Sequence, residues 1–393
     1  MQLDWLNKLG LVSASLATGS LAGAAMANPA VANPLDTPVK GSGTTAPVYS
    51  ELRLKHMHYQ ESQNGQDRMT VKAPSLGFTL ALSEAWSAQG YLVSDGISGA
   101  SPAYYTNPES FVSVNDERNA SDLRVSRHWT NSQLTLGLAY SREDDYQSRN
   151  TSLLWRESSP DRNQTYELGY SITRDTINPV TGIVVNEKKN VQDWLVGVGL
   201  VLSPLDVVQL TLVHGQGRGY YTDPYKRFDR RPSRKHQTSL NVQWNHHFET
   251  SGRSARLGLR FYQDSFGIDS ATFSSELHQP LASGWSVTPL LRLYSQSAAY
   301  FFSPPDPQNP NRINIPQGHR LGQDPISFDQ RLAALGAYTL GLKVEKRVSA
   351  QLSLDFKYEV YKQANRWSRH ANNTPGLEDF KAQSVQLGLT RRF

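Results

Sequence analysis

From Ser50 onward, apolar residues recur at every second position, and the residues between them are polar or charged. Leu352, Leu354, Phe356, Tyr358 and Val360 form one such row, with Ser353, Asp355, Lys357 and Glu359 interleaved. Leu76, Phe78, Leu80 and Leu82 form another, as do Leu134, Leu136, Leu138 and Tyr140, and Leu257, Leu259 and Phe261. Period two puts each row on one face of a β-strand. A soluble sheet with an apolar core would alternate too, but a sheet of this extent closed apolar-side-in would enclose a very large dry core. An apolar exterior around a polar lumen removes that difficulty.

The periodic segments number about sixteen, at roughly 50–60, 66–82, 85–95, 120–129, 132–142, 147–158, 163–174, 190–203, 206–217, 234–249, 253–264, 270–281, 284–298, 330–346, 349–363 and 381–393. Tight turns at 203–205, 250–253, 282–284 and 347–349 alternate with long polar stretches near 96–119, 175–189, 218–233, 299–329 and 364–380. Short turns on one side and long loops on the other are the outer-membrane habit, with the turns in the periplasm and the loops outside the cell. The expected fold is therefore all-β: a transmembrane, antiparallel, up-and-down β-barrel over residues 49–393.

The rest of the chain agrees with a secreted barrel. Residues 1–27 read as a signal peptide, with Lys8 in the n-region, a weakly apolar stretch from Leu9 to Ala25, and an A-x-A cleavage site at Ala25-Met26-Ala27. Residues 28–48 are rich in Pro, Gly, Ser and Thr and read as a disordered periplasmic linker. No later segment approaches the ~20 apolar residues of a spanning helix. The chain has no cysteine, which excludes disulfides, Cys-ligated zinc and iron–sulfur clusters. Aromatics reach 10%, with 18 Tyr and 8 Trp; Trp155, Trp194, Trp244 and Trp285 are candidates for interfacial girdles. In the last strand Val385, Leu387, Leu389 and the terminal Phe393 share a face interrupted by Arg391. An apolar row ending in Phe393 resembles the signal read by bacterial barrel-assembly machinery.

Four segments carry a family resemblance: Ser94-Asp95-Gly96-Ile97-Ser98-Gly99-Ala100-Ser101-Pro102, Tyr221-Thr222-Asp223-Pro224-Tyr225-Lys226, Leu293-Tyr294-Ser295-Gln296-Ser297-Ala298-Ala299-Tyr300-Phe301, and Lys357-Tyr358-Glu359-Val360-Tyr361-Lys362-Gln363. Together they resemble the proteobacterial family catalogued as domain of unknown function 3570 (DUF3570), over nearly the whole mature chain. The resemblance implies an outer-membrane barrel with no assigned activity. It also implies periplasmic company, from small lipoproteins, thioredoxin-like proteins or flavin-transfer machinery, and hence a link to redox or metal handling. It brings no catalytic residues and no cofactor.

Motifs for chemistry are scarce. G-x-S-x-G, H-E-x-x-H and P-loop patterns are all absent, so an enzyme is not the expected reading. Ser98, Ser101, Ser295 and Ser297 fall near the extracellular strand ends, with Asp95 and Asp223 as acids, and would be the parts of a rim hydrolase; Gly/Ser-rich backbone bending into loops is the plainer account. His56 and His58 are two apart on one strand and share a face, the beginnings of a metal site without an identified third ligand. His246 and His247 face opposite sides.

Charge supplies the remaining candidates. Lys226, Arg227, Arg230, Arg231, Arg234 and Lys235 crowd the fifth extracellular loop with one acid, Asp229, among them. Such a cluster suits lipopolysaccharide phosphates or other anions, or is simply solvated; nucleic acid is not an expected partner for a secreted chain of net charge +5. Arg256, Arg260, Lys343, Glu345, Asp355, Lys357 and Glu359 alternate into the lumen, where they either select solutes or pair and plug it. The proline-rich segment Ser303 to Asp329 is the candidate constriction. The leading expectation is a porin-like passage for small polar solutes or a sheath for a periplasmic redox or metal-handling partner. An outer-membrane hydrolase and a plugged structural or receptor barrel are the alternatives.

Overall fold

The computed structural model describes residues 44–63, 65–100, 113–226, 228–306, 308, 314–369, 374 and 376–393. The signal peptide expected over 1–27 and most of the 28–48 linker lie outside these residues, as do Ser101 and Arg227. Sixteen strands are present: β1 Glu51–Gln63, β2 Gln66–Ala81, β3 Trp86–Ala100, β4 Ser113–His128, β5 Ser132–Arg142, β6 Tyr146–Ser158, β7 Gln164–Ile177 and β8 Glu187–Ser203 make the first half. The second half is β9 Asp206–Gly219, β10 Arg234–Phe248, β11 Arg253–Asp264, β12 Asp269–Pro280, β13 Trp285–Gln296, β14 Leu335–Arg347, β15 Leu352–Ala364 and β16 Phe380–Arg392. Each pairs antiparallel with its sequence neighbours, and β16 returns to β1, closing the barrel. Among the described residues no helix is long and apolar enough to cross a membrane.

Alternation decides what each face does. On β15, Leu354, Phe356, Tyr358 and Val360 are exposed on the outside, while Lys357, Glu359, Tyr361 and Gln363 are buried on the inside. The same division runs through β5, β7, β11 and β14, where Leu136, Leu168, Leu259 and Leu340 project outward. Such a surface is stable only against lipid, and a closed antiparallel barrel leaves no strand edge unpaired in it. The chain is an outer-membrane β-barrel.

Connections at one end are short throughout: 82–85, 129–131, 159–163, 204–205, 249–252, 281–284 and 348–351. Several at the other end are long, above all 178–186, 220–233, 297–334 and 365–379. Two expected boundaries move. Of the stretch near 96–119, residues 96–100 and 113–119 are strand, because β3 runs on to Ala100 and β4 begins at Ser113, pairing down to Ala100↔Ser113. β14 starts at Leu335 rather than near 330, because Gln330–Leu332 form a single 3-10 turn capped by the Asp329 side chain. At the seam, Phe393 donates its backbone N–H to Ser50 O at 2.9 Å, and Arg392 Nε reaches Glu51 Oε2 at 3.0 Å.

All four girdle candidates, Trp155, Trp194, Trp244 and Trp285, are exposed on the outer face, joined by Trp86 and Trp129. Five of these six lie toward the short-turn end, where Arg127 stands over both Trp86 and Trp129 and Lys346 over Trp285, at 5.0–5.4 Å. Cations reaching past aromatic rings to water mark a membrane interface.

Candidate functional site

The inner wall carries the chemistry. Arg256, Arg260, Lys343, Glu345, Asp355, Lys357 and Glu359 all have the inward parity of their strands. Opposite charges two residues apart meet on that wall: Lys343 Nζ lies 3.3 Å from Glu345 Oε2 and Lys357 Nζ 3.2 Å from Glu359 Oε1. Arg256 pairs across strands with Glu276 at 3.3 Å and donates to Asn245 Oδ1 at 3.2 Å. Arg260 stacks over Tyr262 at 5.7 Å. Asp355 faces Gly388 on β16, where any Cβ would run into its carboxylate. Other inward groups follow the same parity and were not singled out from the sequence as lumenal charges: the fully buried Arg118–Asp95 pair, whose acid was considered only for a rim hydrolase, Arg124 with Asp122 at 3.4 Å, and Arg156 with Glu167 at 2.7 Å.

The basic loop cluster is largely turned inward. Arg231 is buried and bonds Asp229 and Asp329, each at 2.9 Å. Arg331, from the far end of the 297–334 loop, donates to Asp329 and reaches Asp223 at 3.0 Å. Ser327 donates to the other oxygen of Asp229, and the backbones of Arg230 and Ile326 exchange hydrogen bonds at 2.8 and 2.9 Å. This latch binds the 220–233 loop to the 297–334 loop. Burial alone would raise the carboxyl of Asp329, but Arg331, Lys226 and Arg231 outweigh it and hold Asp329 well below the usual carboxylate range. Asp229 goes the other way, pushed up by burial against the pull of Arg231. Burial likewise lowers Lys226, despite Asp329 and Asp223. Lys235 turns into the barrel and pairs with Asp264 at 3.0 Å. Of the expected anion cluster, Arg230 and Arg234 are exposed; the acids that neutralise Arg231 and Lys235 are Asp229 in the same loop, Asp329 in the 297–334 loop and Asp264 on β11.

The candidate constriction, Ser303 to Asp329, contributes the other half of this latch. Behind it, inward-facing Gln296 donates to the carbonyls of Arg331 at 3.0 Å and Ala333 at 2.7 Å, drawing the loop into the mouth. Tyr262, Phe266, Ile268, Ala299, Phe301 and Leu332 pack there as an apolar cluster.

Among the described side chains the rim-hydrolase candidates are not brought together; those of Ser98 and Ser101 lie outside them. Asp95 is paired with Arg118 inside the barrel and Asp223 with Arg331. Ser295 Oγ accepts from Arg369 N at 2.8 Å, and Ser297 Oγ donates to Gly267 O at 2.9 Å. Side-chain serine–histidine contacts occur at the opposite, short-turn end. Ser87 Oγ lies 2.8 Å from His128 Nε2, and His128 Nδ1 lies 2.7 Å from Thr44 O. That pair fastens the chain ahead of β1 against the inner wall, so residues 44–48 of the expected linker begin inside the mouth. Its strand backbone is committed to the sheet ladder and offers no free N–H pair for an oxyanion.

His56 and His58 share a face, as their spacing requires, but it is the outer one; their register neighbours are Pro74 and Leu387, and Lys72 and Val385. Among the described residues no group of three or more His, Cys, Asp or Glu is placed to hold a metal ion. Phe393 is exposed on the outer face beside the seam, with Arg391 Cζ 5.1 Å from its ring.

Among solved structures the chain is similar to a bacterial polysaccharide outer membrane secretin, at 9% identity and a TM-score of 0.49, covering 88% of this chain and 98% of that one. It is also similar to the siderophore receptor PirA from Acinetobacter baumannii, at 10% identity and a TM-score of 0.43, covering 81% of this chain but only 53% of the receptor. A third is a FadL homologue from Pseudomonas aeruginosa, at 9% identity and a TM-score of 0.43, with 87% and 90% coverage. No curated protein matches the chain. Residues 106–187 and 183–381, spanning β4 to β15, match the family described as Protein of unknown function (DUF3570), and the chain belongs to that family.

Proposed function

We propose that the protein is a passage channel for small polar solutes across the outer membrane, with its extracellular mouth partly covered by the latched loops. The observation that carries this reading is the inner wall. It presents charges of both signs over the height of a sixteen-strand barrel, a size that in porins leaves an aqueous channel. Pairs such as Lys343–Glu345 and Lys357–Glu359 compensate locally, which favours zwitterionic or uncharged polar solutes over one class of ion. A hydrolase has less support, since Ser295, Ser297, Asp95 and Asp223 are separately engaged. A sheath for a periplasmic redox or metal-handling partner rests on the family resemblance alone.

Purified protein in planar bilayers is expected to give discrete ohmic steps, and Arg260→Glu to shift the reversal potential toward cation permeation. Silence from both the intact protein and an Asp329→Asn variant with a loosened latch would sink the channel reading. Esterase or protease turnover under the same conditions would favour the hydrolase, and capture of a periplasmic redox protein would favour the sheath.

A further inference from the structure

On the outer face near the extracellular rim, the strand registers align four arginines in one lateral row. Arg149 on β6 is the direct partner of Arg174 on β7, Arg174 of Asn190 on β8, Asn190 of Arg218 on β9, and Arg218 of Arg234 on β10. All five residues are exposed. No acid occupies the row. Among the described residues none of the four guanidinium groups forms an ion pair; Arg149 only donates to Gln147 Oε1 at 3.4 Å. Like charges placed directly opposite across a strand pair are destabilising. Two such pairs, Arg149/Arg174 and Arg218/Arg234, are therefore a liability unless an anion lies against them.

The rows below show what kind of anion. Moving toward the membrane, the next outward row reads Thr151, Ile172, Gln192, Gln216 and His236, and the one after it Leu153, Tyr170, Trp194, His214 and Thr238. In that second row Tyr170, Trp194 and His214 form a run of ring contacts at 5.7 and 6.3 Å. Below it come Trp155, Leu168, Val196, Leu212 and Leu240. The order is aliphatic, aromatic, polar, then arginine, the sequence of environments from acyl chain to headgroup. Successive strands are ~4.8 Å apart, so the two arginine pairs are centred roughly 14 Å from each other around the barrel.

We propose that this row binds the phosphorylated headgroup of an outer-leaflet glycolipid, each arginine pair holding one phosphate of a disaccharide-sized headgroup while its acyl chains lie against Trp194, Tyr170 and the leucines beneath. Arginine forks match phosphate oxygens bidentately, and an anion between two guanidinium groups converts their repulsion into attraction. Asn190, centred between the pairs, supplies an amide at the level of the sugar. The ligand is lipid-borne phosphate rather than a soluble anion, because only a lipid presents phosphate at this height while filling the aromatic and aliphatic rows below.

The test uses the whole barrel purified in detergent, with bisphosphorylated lipid A as probe and native mass spectrometry as readout. Lipid A is expected to be retained, and the double variant Arg174→Gln/Arg218→Gln to weaken retention by about tenfold or more, since each pair loses a charge-assisted hydrogen-bond donor to phosphate. Arg127→Gln/Arg391→Gln, at the opposite rim, is expected to retain it unchanged. Thermal stability supplies a second readout. Without lipid the Arg174→Gln/Arg218→Gln barrel should be at least as stable as the parent, the repulsion being gone; with lipid A it should be the less stable of the two. Equal retention by parent and variant would overturn the proposal. Equal binding of dephosphorylated lipid A would show acyl contact alone, and displacement by inorganic phosphate at comparable concentration a free-anion site; either result also overturns it.

Discussion

At the scale of single residues the two carboxylates of the loop latch behave oppositely. Asp329 is depressed by its three cationic neighbours, so its contribution is fully present above the usual carboxylate pKa of ~3.9 and is lost only as pH falls through its lower folded value. Asp229 is raised by burial, so folding favours its protonated form, and acidification to its folded value relieves rather than harms the latch. Removing Asp329 leaves Arg231 and Arg331 buried without their shared partner. Asp329→Asn is therefore expected to favour latch opening by about 3–5 kcal/mol, and Asp229→Asn, whose neutral form burial already favours, to change it little. Protease cleavage of the 220–233 and 297–334 loops on intact cells measures both, and in the parent protection should persist down to about pH 4. Inside the barrel, Asp95→Ala strands the fully buried Arg118 and should lower the unfolding free energy of the refolded protein, read from its urea titration, again by about 3–5 kcal/mol.

At the scale of the strand, the unit of meaning is parity. Phe356 and Lys357 are neighbours in sequence and lie on opposite sides of the membrane wall, one against lipid and one against the lumen. Phe356→Arg is expected to destabilise the barrel by ~2–4 kcal/mol if this position lies near the bilayer midplane, measured as the equilibrium for folding into vesicles. Lys343→Gln, an equally large chemical change one strand over and facing inward, should leave that equilibrium within about 0.5 kcal/mol and shift ion selectivity toward cations instead. Equal folding penalties at the two sites would mean that the faces are misassigned. Parity also explains the pairing of His56 with His58: the spacing places them together, and the strand's orientation turns both outward, away from the lumenal acids.

At the scale of the whole molecule, closure depends on β16 meeting β1. Phe393 projects outward at that seam while its backbone is tied to Ser50. Phe393→Ala should lower the yield of folded barrel in cells, read as heat-modifiable protein in the outer-membrane fraction, with little change in the stability of barrels that do form. A proportionate loss of stability would make the residue a structural clamp rather than an assembly signal.

The strand count and the closed barrel were readable from the chain, because in a strand the face is set by position modulo two and lipid imposes apolar side chains on one face. The family resemblance was readable too: the segments Tyr221–Lys226, Leu293–Phe301 and Lys357–Gln363 fall inside the matched span, while Ser94–Pro102 precedes it. Reading failed where the lipid constraint ends. β3 and β4 continue as a polar hairpin because backbone pairing holds them there, with no alternation to announce it. The basic loop looked open to outside anions because the latch partners beyond its own Asp229 are remote in the chain: Arg231 meets Asp329 across 98 positions, and the loop's Asp223 meets Arg331 across 108. The row of arginines was hidden for the same reason. A one-dimensional pattern records which way a side chain points, but only the register between strands decides which side chains stand together.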